Sequence, residues 1–196
     1  MATSRENKTI SQFKSALIGG GARPNLFEVE LTTLPAGISW DSDSFRYMCK
    51  AAQLPAQNVA NIDVPFRGRI FKVAGDRTID TWTVTIINDE GFVLRNAFEE
   101  WANLIAKLDT NLGATDPSAY MTNAKVFQLG RGSSKASTSS TGNENVVLKE
   151  YEFVDIFPTS VSAIDLSYDT GDTIEEFTVE FQVQSLNLAG AGTPNG

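Results

Sequence analysis

The sequence predicts a mainly β protein: an antiparallel β-sandwich or partly open barrel with one α-helix packed across it. Three observations carry that expectation. Thr81 to Ile86 alternates threonine with large apolar residues, the mark of a half-buried strand with Trp82, Val84 and Ile86 on one face. Phe177, Val179, Phe181 and Val183 alternate with Glu176, Thr178, Glu180, Gln182 and Gln184, a second strand with one core face and one wet face. Val93, Leu94, Ala97, Phe98, Trp101, Ile105 and Leu108 recur at helical spacing. They predict one long helix, about 90–108, whose broad apolar face must lie on a sheet.

Taken in order, residues 1–21 form a flexible N-terminal arm. Ile10, Phe13, Ala16, Leu17 and Ile18 suggest a short helix capped by Ser11, and Gly19-Gly20-Gly21 frees it from the body at 22–186. Leu26 to Leu31 alternates, with Phe27, Val29 and Leu31 inward and Glu28 and Glu30 outward. Thr32 to Asp43 reads as a long turn around Pro35 and Gly37. It holds Leu34, Ile38 and Trp40, which are costly to leave in water, so they either fold back on the domain or meet a partner. Phe45, Tyr47 and Cys49 alternate with Arg46, Met48 and Lys50 as a returning strand.

After Leu54-Pro55-Ala56-Gln57, the segment Asn58 to Phe66 resumes with Ala60, Ile62 and Val64. Pro65 confines it to a sheet edge or a strand end, because proline lacks the N–H a central ladder needs. Arg67-Gly68-Arg69 and Gly75-Asp76-Arg77 read as turns on either side of Phe71 and Val73. Arg67, Arg69, Lys72 and Arg77 make the one positive cluster of the chain, which is either a charged seam between subunits or a set of solvated turn residues.

Asn88 is positioned to cap the long helix, with Asp89 and Glu90 in its first turn and Gly113 closing it. Asp109 to Tyr120 is a polar loop and Ala124 to Leu129 a short strand. The Gly/Ser/Thr/Asn-rich stretch at about 130–145 cannot bury enough surface to order itself and is expected to be mobile. Val146 to Phe157 is a long strand with a bulge, turned by Pro158. Val161 to Tyr168 and Thr173 to Ser185 read as a hairpin around Asp169-Thr170-Gly171-Asp172, and 187–196 is a flexible tail.

The 196 residues, 41% of them apolar, suffice for one domain with a sizeable core. A net charge of −8 argues against affinity for nucleic acid through its phosphates. An acidic wall does suit a polyanion that must pass without sticking, and acidity also serves solubility. One cysteine leaves no intramolecular disulfide and points to a reducing cytoplasm or a particle assembled there. No apolar run is long enough to cross a bilayer, and the polar start Met1 to Lys8 lacks a secretory signal, so no membrane partner is expected.

The chain has no histidine, which removes Ser-His-Asp and Cys-His catalysis and most zinc sites. Gly19–Gly21 lacks the Lys-Ser/Thr of a phosphate-binding loop. Asp41/Asp43 and Asp169/Asp172 lack the spacing of a calcium loop and read as turn residues. Cys49 reads as a small core hydrophobe. No enzyme, cofactor or metal is expected.

Several segments together resemble a known family. Gly75-Asp76-Arg77-Thr78, Trp82-Thr83-Val84-Thr85 and Asn88-Asp89-Glu90 look like the signature of tail tube proteins of contractile, T-even-like bacteriophages. Ala22 to Val29 resembles that family's opening strand, Cys49-Lys50-Ala51-Ala52-Gln53-Leu54-Pro55-Ala56 its Cys-Lys-Ala…Leu-Pro segment, and Phe157 to Val161 with Thr173 to Gln184 its closing hairpin. The match runs from about Arg23 to Gln184, and the turn at Thr32–Asp43 is longer here than in the family pattern.

The resemblance implies six-fold rings whose sheets join edge to edge into an inner barrel, stacked into a tube. That tube encloses a tape-measure protein, is wrapped by a sheath, grows from a baseplate and ends at a terminator. It conducts DNA without binding it specifically, in a virion tail assembled in the host bacterial cytoplasm. On this expectation Glu176, Glu180 and Gln182, or the polar face of Asn58–Val64, line the lumen. Leu34, Ile38, Trp40, Arg67, Arg69, Lys72 and Arg77 lie at subunit or ring interfaces. The alternatives are a tube protein of a related contractile injection or secretion system, and a monomeric β-sandwich carbohydrate-binding module using Trp40 and Tyr47.

Overall fold

The computed structural model describes residues 9–17, 21–40, 42–130, 147–169 and 171–189; the glycine hinge and the predicted mobile loop fall largely outside them. The order is α1 (Ile10–Ala16), β1 (Phe27–Leu31), α2 (Ser42–Met48), β2 (Cys49–Ala52), β3 (Gln57–Phe66), β4 (Arg69–Ile79), β5 (Trp82–Ile87), α3 (Val93–Ile105), β6 (Thr122–Leu129), β7 (Val147–Val161), β8 (Glu176–Gln182) and β9 (Ser185–Ala189). Every strand pairing is antiparallel. Seven strands follow the path β1-β6-β7-β8-β5-β2 with β9 beside β7, and β3-β4 form a separate two-stranded sheet. The path does not close, so the predicted mainly β, partly open architecture holds.

One strand makes the sandwich. The first part of β7 pairs with β6 and β9, and its end, Phe157 to Val161, pairs with β8. The strand turns between the two layers at a bulge. Thr122 faces Ile156 but Ala124 faces Phe153, so β7 carries one residue more than β6 there. Asp155 in this bulge has φ +54°, and its N–H donates to Asn123 Oδ1 at 3.0 Å. Pro158 therefore does not turn the chain. It stays within β7, opposite Phe181, at a second register shift.

The two layers enclose an aromatic core. Trp82, Val84 and Ile86 of β5 and Phe177, Val179 and Phe181 of β8 are buried as the alternation predicts. The Trp82 ring lies 4.8 Å from Phe153 and 5.1 Å from Phe181. Helix α3 covers the inner side with Leu94, Ala97, Phe98 and Trp101. Phe98 sits among Trp40, Phe45, Trp101, Phe177 and Phe181 at centroid distances of 5.0 to 6.2 Å. The Trp101 indole N–H donates to the Tyr120 carbonyl at 2.8 Å, tying the loop after the helix to its buried face.

Several expectations are corrected. Phe45 to Lys50 is not a strand, because α2 occupies Ser42–Met48 and β2 begins at Cys49. Phe45 and Cys49 are both buried, which fits i,i+4 spacing as well as alternation; Tyr47, 78% exposed, decides for the helix. A second helix thus packs beside α3.

Asn88 does not cap α3. Its N–H and side-chain amide both donate to Glu175, to the backbone carbonyl at 2.9 Å and to Oε2 at 3.0 Å. The helix starts later, after Phe92 at φ +53° with no side-chain cap. Val93 and Leu108 are exposed, and Leu108 lies beyond the helix end at Ile105. Gly113 acts by close approach: a Cβ there would meet the Ile105 carbonyl oxygen at 1.9 Å. The cap of α1 is Thr9, not Ser11, in a reciprocal pair with Gln12.

Gly75-Asp76-Arg77 is no turn; Gly75 and Asp76 face the single Ala60 in a bulge inside β4. The segment Val161 to Tyr168 forms no strand beyond Val161, so the predicted hairpin is a long excursion between β7 and β8. Part of the predicted tail, up to Ala189, belongs to β9.

Phe98→Ala should lower stability by about 3–5 kcal/mol, because an aromatic at the centre of the core leaves a cavity. Tyr47→Ala should stay within about 0.5 kcal/mol. Urea unfolding of the soluble protein followed by fluorescence measures both, and equal large losses would restore a strand with Phe45 and Tyr47 on one buried face.

Candidate assembly interface

The surfaces open to other molecules are the functional question for this fold. Four of them stand out. The first is the set of unpaired strand edges. Strands β1 and β2 lie at the two ends of the path and β9 ends its side branch. Among the described residues, each therefore presents a row of N–H and C=O groups without a ladder partner on its outer side.

The second is the outer face of β1, β6 and the first part of β7. Glu30 pairs across to Lys125 and Lys125 to Glu152, with Glu28 and Glu150 two residues away. Arg46 of α2 reaches over β1 to Glu28 at 2.5 Å and Glu30 at 3.2 Å, and also meets Asp43 at 3.6 Å. Lys125 bonds Glu150 at 2.9 Å. The Glu150 hydrogen bond and charge, with Glu152 and Glu30 nearby, hold the Lys125 ammonium above its usual pKa. This face is a charge ladder whose cations are each shared by several carboxylates.

The third is the outer face of β5 and β8. Glu176, Glu180 and Gln182 share it, all turned away from the core, beside Ile87, Thr83 and Thr85 of β5. Glu176 is ion-paired with Lys50, while Gln182 borders a groove of about 420 Å³ with Arg77. The three residues named for the lumen thus lie together on one polar strand face.

The fourth is the β3–β4 hairpin. Arg67 at φ +44° and Gly68 at φ +80° form the tight two-residue turn that matches strand twist. The register places Ile62, Val64, Phe66, Arg69, Phe71 and Val73 on one side and Asn61, Asp63, Pro65, Ile70, Lys72 and Ala74 on the other. Phe66 and Phe71 are 65% and 66% exposed, and nearly every position of the ribbon is open to solvent. Arg67 lies over the Phe66 ring at 5.4 Å, Lys72 meets Asp63 at 3.8 Å, and Arg77 donates to Gln57.

The hairpin therefore brings Arg67, Arg69, Lys72 and Arg77 onto one ribbon, as their grouping in sequence suggested. Leu34, Ile38 and Trp40 go elsewhere. Ile38 is buried, Leu34 packs against the core, and Trp40 stacks on Phe45 at 5.8 Å and Phe98 at 5.0 Å. Of the two alternatives for that turn, the fold-back onto the domain is observed. Trp40 is turned onto the core while Tyr47 is 78% exposed, so the two form no shared platform for a sugar.

Two features were missed. The apolar side of the hairpin looked like an ordinary half-buried strand, since its alternation is the same whether or not a sheet covers it. The excursion between β7 and β8, with exposed Leu166, Tyr168 and Ile174, was hidden by the strand-like pattern of 161–168.

The fold is shared with components of contractile injection machines. It matches the tube-terminating cap of the anti-feeding prophage with a TM-score of 0.57, at 19% identity, over 87% of this chain and 92% of that one. It also matches a chain of the extended PVC sheath–tube complex with a TM-score of 0.57, at 12% identity, over 94% and 100% of the two. At such identities the likeness is one of fold, and the class is that of an open β-sandwich. The family model of phage tail tube proteins matches residues 22–188. The tail tube protein gp19 of Enterobacteria phage T4 is 37% identical over 161 residues, 82% of this chain and 88% of that protein. The chain belongs to the phage tail tube protein family and is a structural component of a contractile phage tail.

Cys49 supplies a test of the core. Burial pushes its thiol up to about 12, so the thiolate is scarce at neutral pH. A thiol reagent at pH 8 should label the native protein far more slowly than the unfolded chain. Because the folded pKa is the higher one, the contribution is intact below pH 9 and stability falls as pH climbs from about 9 to about 12. Rapid labelling of native protein would contradict this placement.

Proposed function

We propose that six copies of this chain close into a ring, that rings stack into a hollow tube, and that the tube carries the genome through its lumen. The observation that supports this reading best is the open seven-stranded sheet, whose β1 and β2 ends have no strand partner among the described residues of one copy. Two different edges meeting between copies make a heterologous contact, which closes into a ring when the rotation permits. Main-chain ladders across such a seam satisfy the exposed N–H and C=O groups at each copy.

On this proposal the polar face bearing Glu176, Glu180 and Gln182 lines the lumen, and the net charge of −8 keeps a passing polyanion from adhering. Arg67, Arg69, Lys72 and Arg77 on the hairpin form the charged seam between copies or rings. The work of the protein is mechanical and conductive, with no reaction of its own. Its partners are further copies of itself, a sheath around the tube, a tape-measure protein within it, a baseplate that starts it and a terminator that ends it, all meeting in the host bacterial cytoplasm. The 37% identity to a phage tail tube protein favours a phage tail over another injection system.

Electron microscopy of the purified protein, with its mass measured in solution, tests the proposal: rings or hollow tubes are expected. Glu180→Lys should leave ring formation intact, because a lumen residue touches no neighbour. Loss of rings in that variant would move Glu180 to an interface, and a protein that stays monomeric with and without a baseplate would refute the tube reading.

A further inference from the structure

We propose that the tip of the β3–β4 hairpin of one copy seats in the acidic cleft formed by the 163–176 excursion of another copy. This rests on the tube reading and names the two surfaces that hold copies together. The two patches complement each other in three respects.

Charge comes first. Residues 64–72 carry Arg67, Arg69 and Lys72 and no acid, whereas 163–176 carries Asp165, Asp169, Asp172, Glu175 and Glu176 and no base. Lys72 is already paired with Asp63 and Glu176 with Lys50, which leaves Arg67 and Arg69 facing Asp165, Asp169 and Asp172; their attraction orients the encounter and deters two tips or two loops from meeting.

Apolar surface comes second. Phe66 and Phe71 share the open face of the hairpin with Ile62, Val64 and Val73. Leu166 is 80% and Ile174 71% exposed, and Tyr168 is fully exposed. Each patch gathers several exposed large apolar side chains in one place, the mark of a contact surface. A contact that combines aromatic anchors with an arginine rim is the usual composition of an energetic centre at an interface.

Shape comes third. The two arms of the excursion border an open cleft of about 630 Å³ lined by Asp165, Leu166, Tyr168, Ile174, Glu175 and Glu176. Its floor is fixed, since Glu175 is held by the side-chain amide of Asn88 at 3.0 Å, while Glu176 stays at the rim, paired with Lys50 on the lumen side. The hairpin is a two-stranded ribbon outside the main sheet, narrow enough to enter a cleft. Ribbon and cleft are different patches of the same chain, so each copy gives one contact and receives one. The interaction therefore propagates from copy to copy instead of stopping at a dimer.

Charge exchange tests this. One variant carries Arg67→Glu and Arg69→Glu, a second carries Asp165→Lys and Asp172→Lys, and a third carries all four. Far-UV circular dichroism and thermal unfolding confirm that each folds, and light scattering with electron microscopy reads the protein concentration needed for assembly. Each one-sided reversal is expected to raise that concentration about tenfold or more, and the four-fold variant to return it to within about threefold of wild type. Raising the salt should weaken wild-type assembly in the same direction, because screening acts on this contact. Failure of the four-fold variant to recover, with both one-sided variants impaired, would place the partners of the two patches elsewhere and overturn the contact while the tube stands. Unchanged assembly in either one-sided variant would likewise overturn it. A wild-type protein that forms neither rings nor tubes would remove the tube reading, and this contact with it.

Discussion

A 15-residue strand shared between two layers is the constraint on which the rest of this molecule depends. Strand β7 has to serve β6 and β9 with one half and β8 with the other, and it does so only because the Asp155 bulge redirects it. Without that bend the inner faces of the two layers would diverge, and Phe153 of β7 would not reach the Trp82 ring of β5 at 4.8 Å. The αL conformation of Asp155 is unfavourable for most residues, though aspartate tolerates it better than others. Its N–H is satisfied by Asn123 on the neighbouring strand. A local backbone cost is thus offset by a large aromatic core.

The same constraint explains the helices. A sandwich opened by a bent strand leaves one side of the core uncovered, and α3 fills it with Phe98 and Trp101. Trp40 and Phe45 complete the cover from the segment that precedes β2. The long turn at 32–43 therefore has a structural task inside its own chain. What remains outside is polar strand face, open edge and one ribbon, which is the division of labour expected of a subunit in a larger wall.

The fold was legible in the sequence where a pattern had one physical explanation. Alternation at Trp82–Ile86 and Phe177–Val183 and helical spacing at Leu94–Trp101 each admit only one half-buried geometry, and each is found. It was illegible where two geometries share a pattern. Phe45 and Cys49 fall on one face of a strand and equally on one face of a helix, and only the exposure of Tyr47 separates them. Asn88 has the chemistry of a cap, but a long-range partner, Glu175, takes its amide; no local motif announces a residue 87 positions away. The interface candidates divide in the same way. Charge clustering found the four basic residues of the hairpin, because their proximity is local. Leu34, Ile38 and Trp40 pack against the core of their own domain, a destination that apolarity alone does not separate from docking, since a buried and a docking side chain have the same composition.

Among the described residues, the hairpin is fastened at its base. Ile79 packs against the core, and the Asp80 N–H donates to the Ala56 carbonyl at 3.0 Å, while the ten- and eleven-residue arms extend beyond that point. A ribbon clamped at one end behaves as a cantilever: small rotations at the root become large displacements at the tip. In a free copy that compliance widens the volume the tip can search. Once the tip is held, the same beam is supported at both ends, and bending it requires deforming two subunits at once. In the proposed tube the loss of that freedom is charged once, at docking, and the resulting strut would pass strain from subunit to subunit.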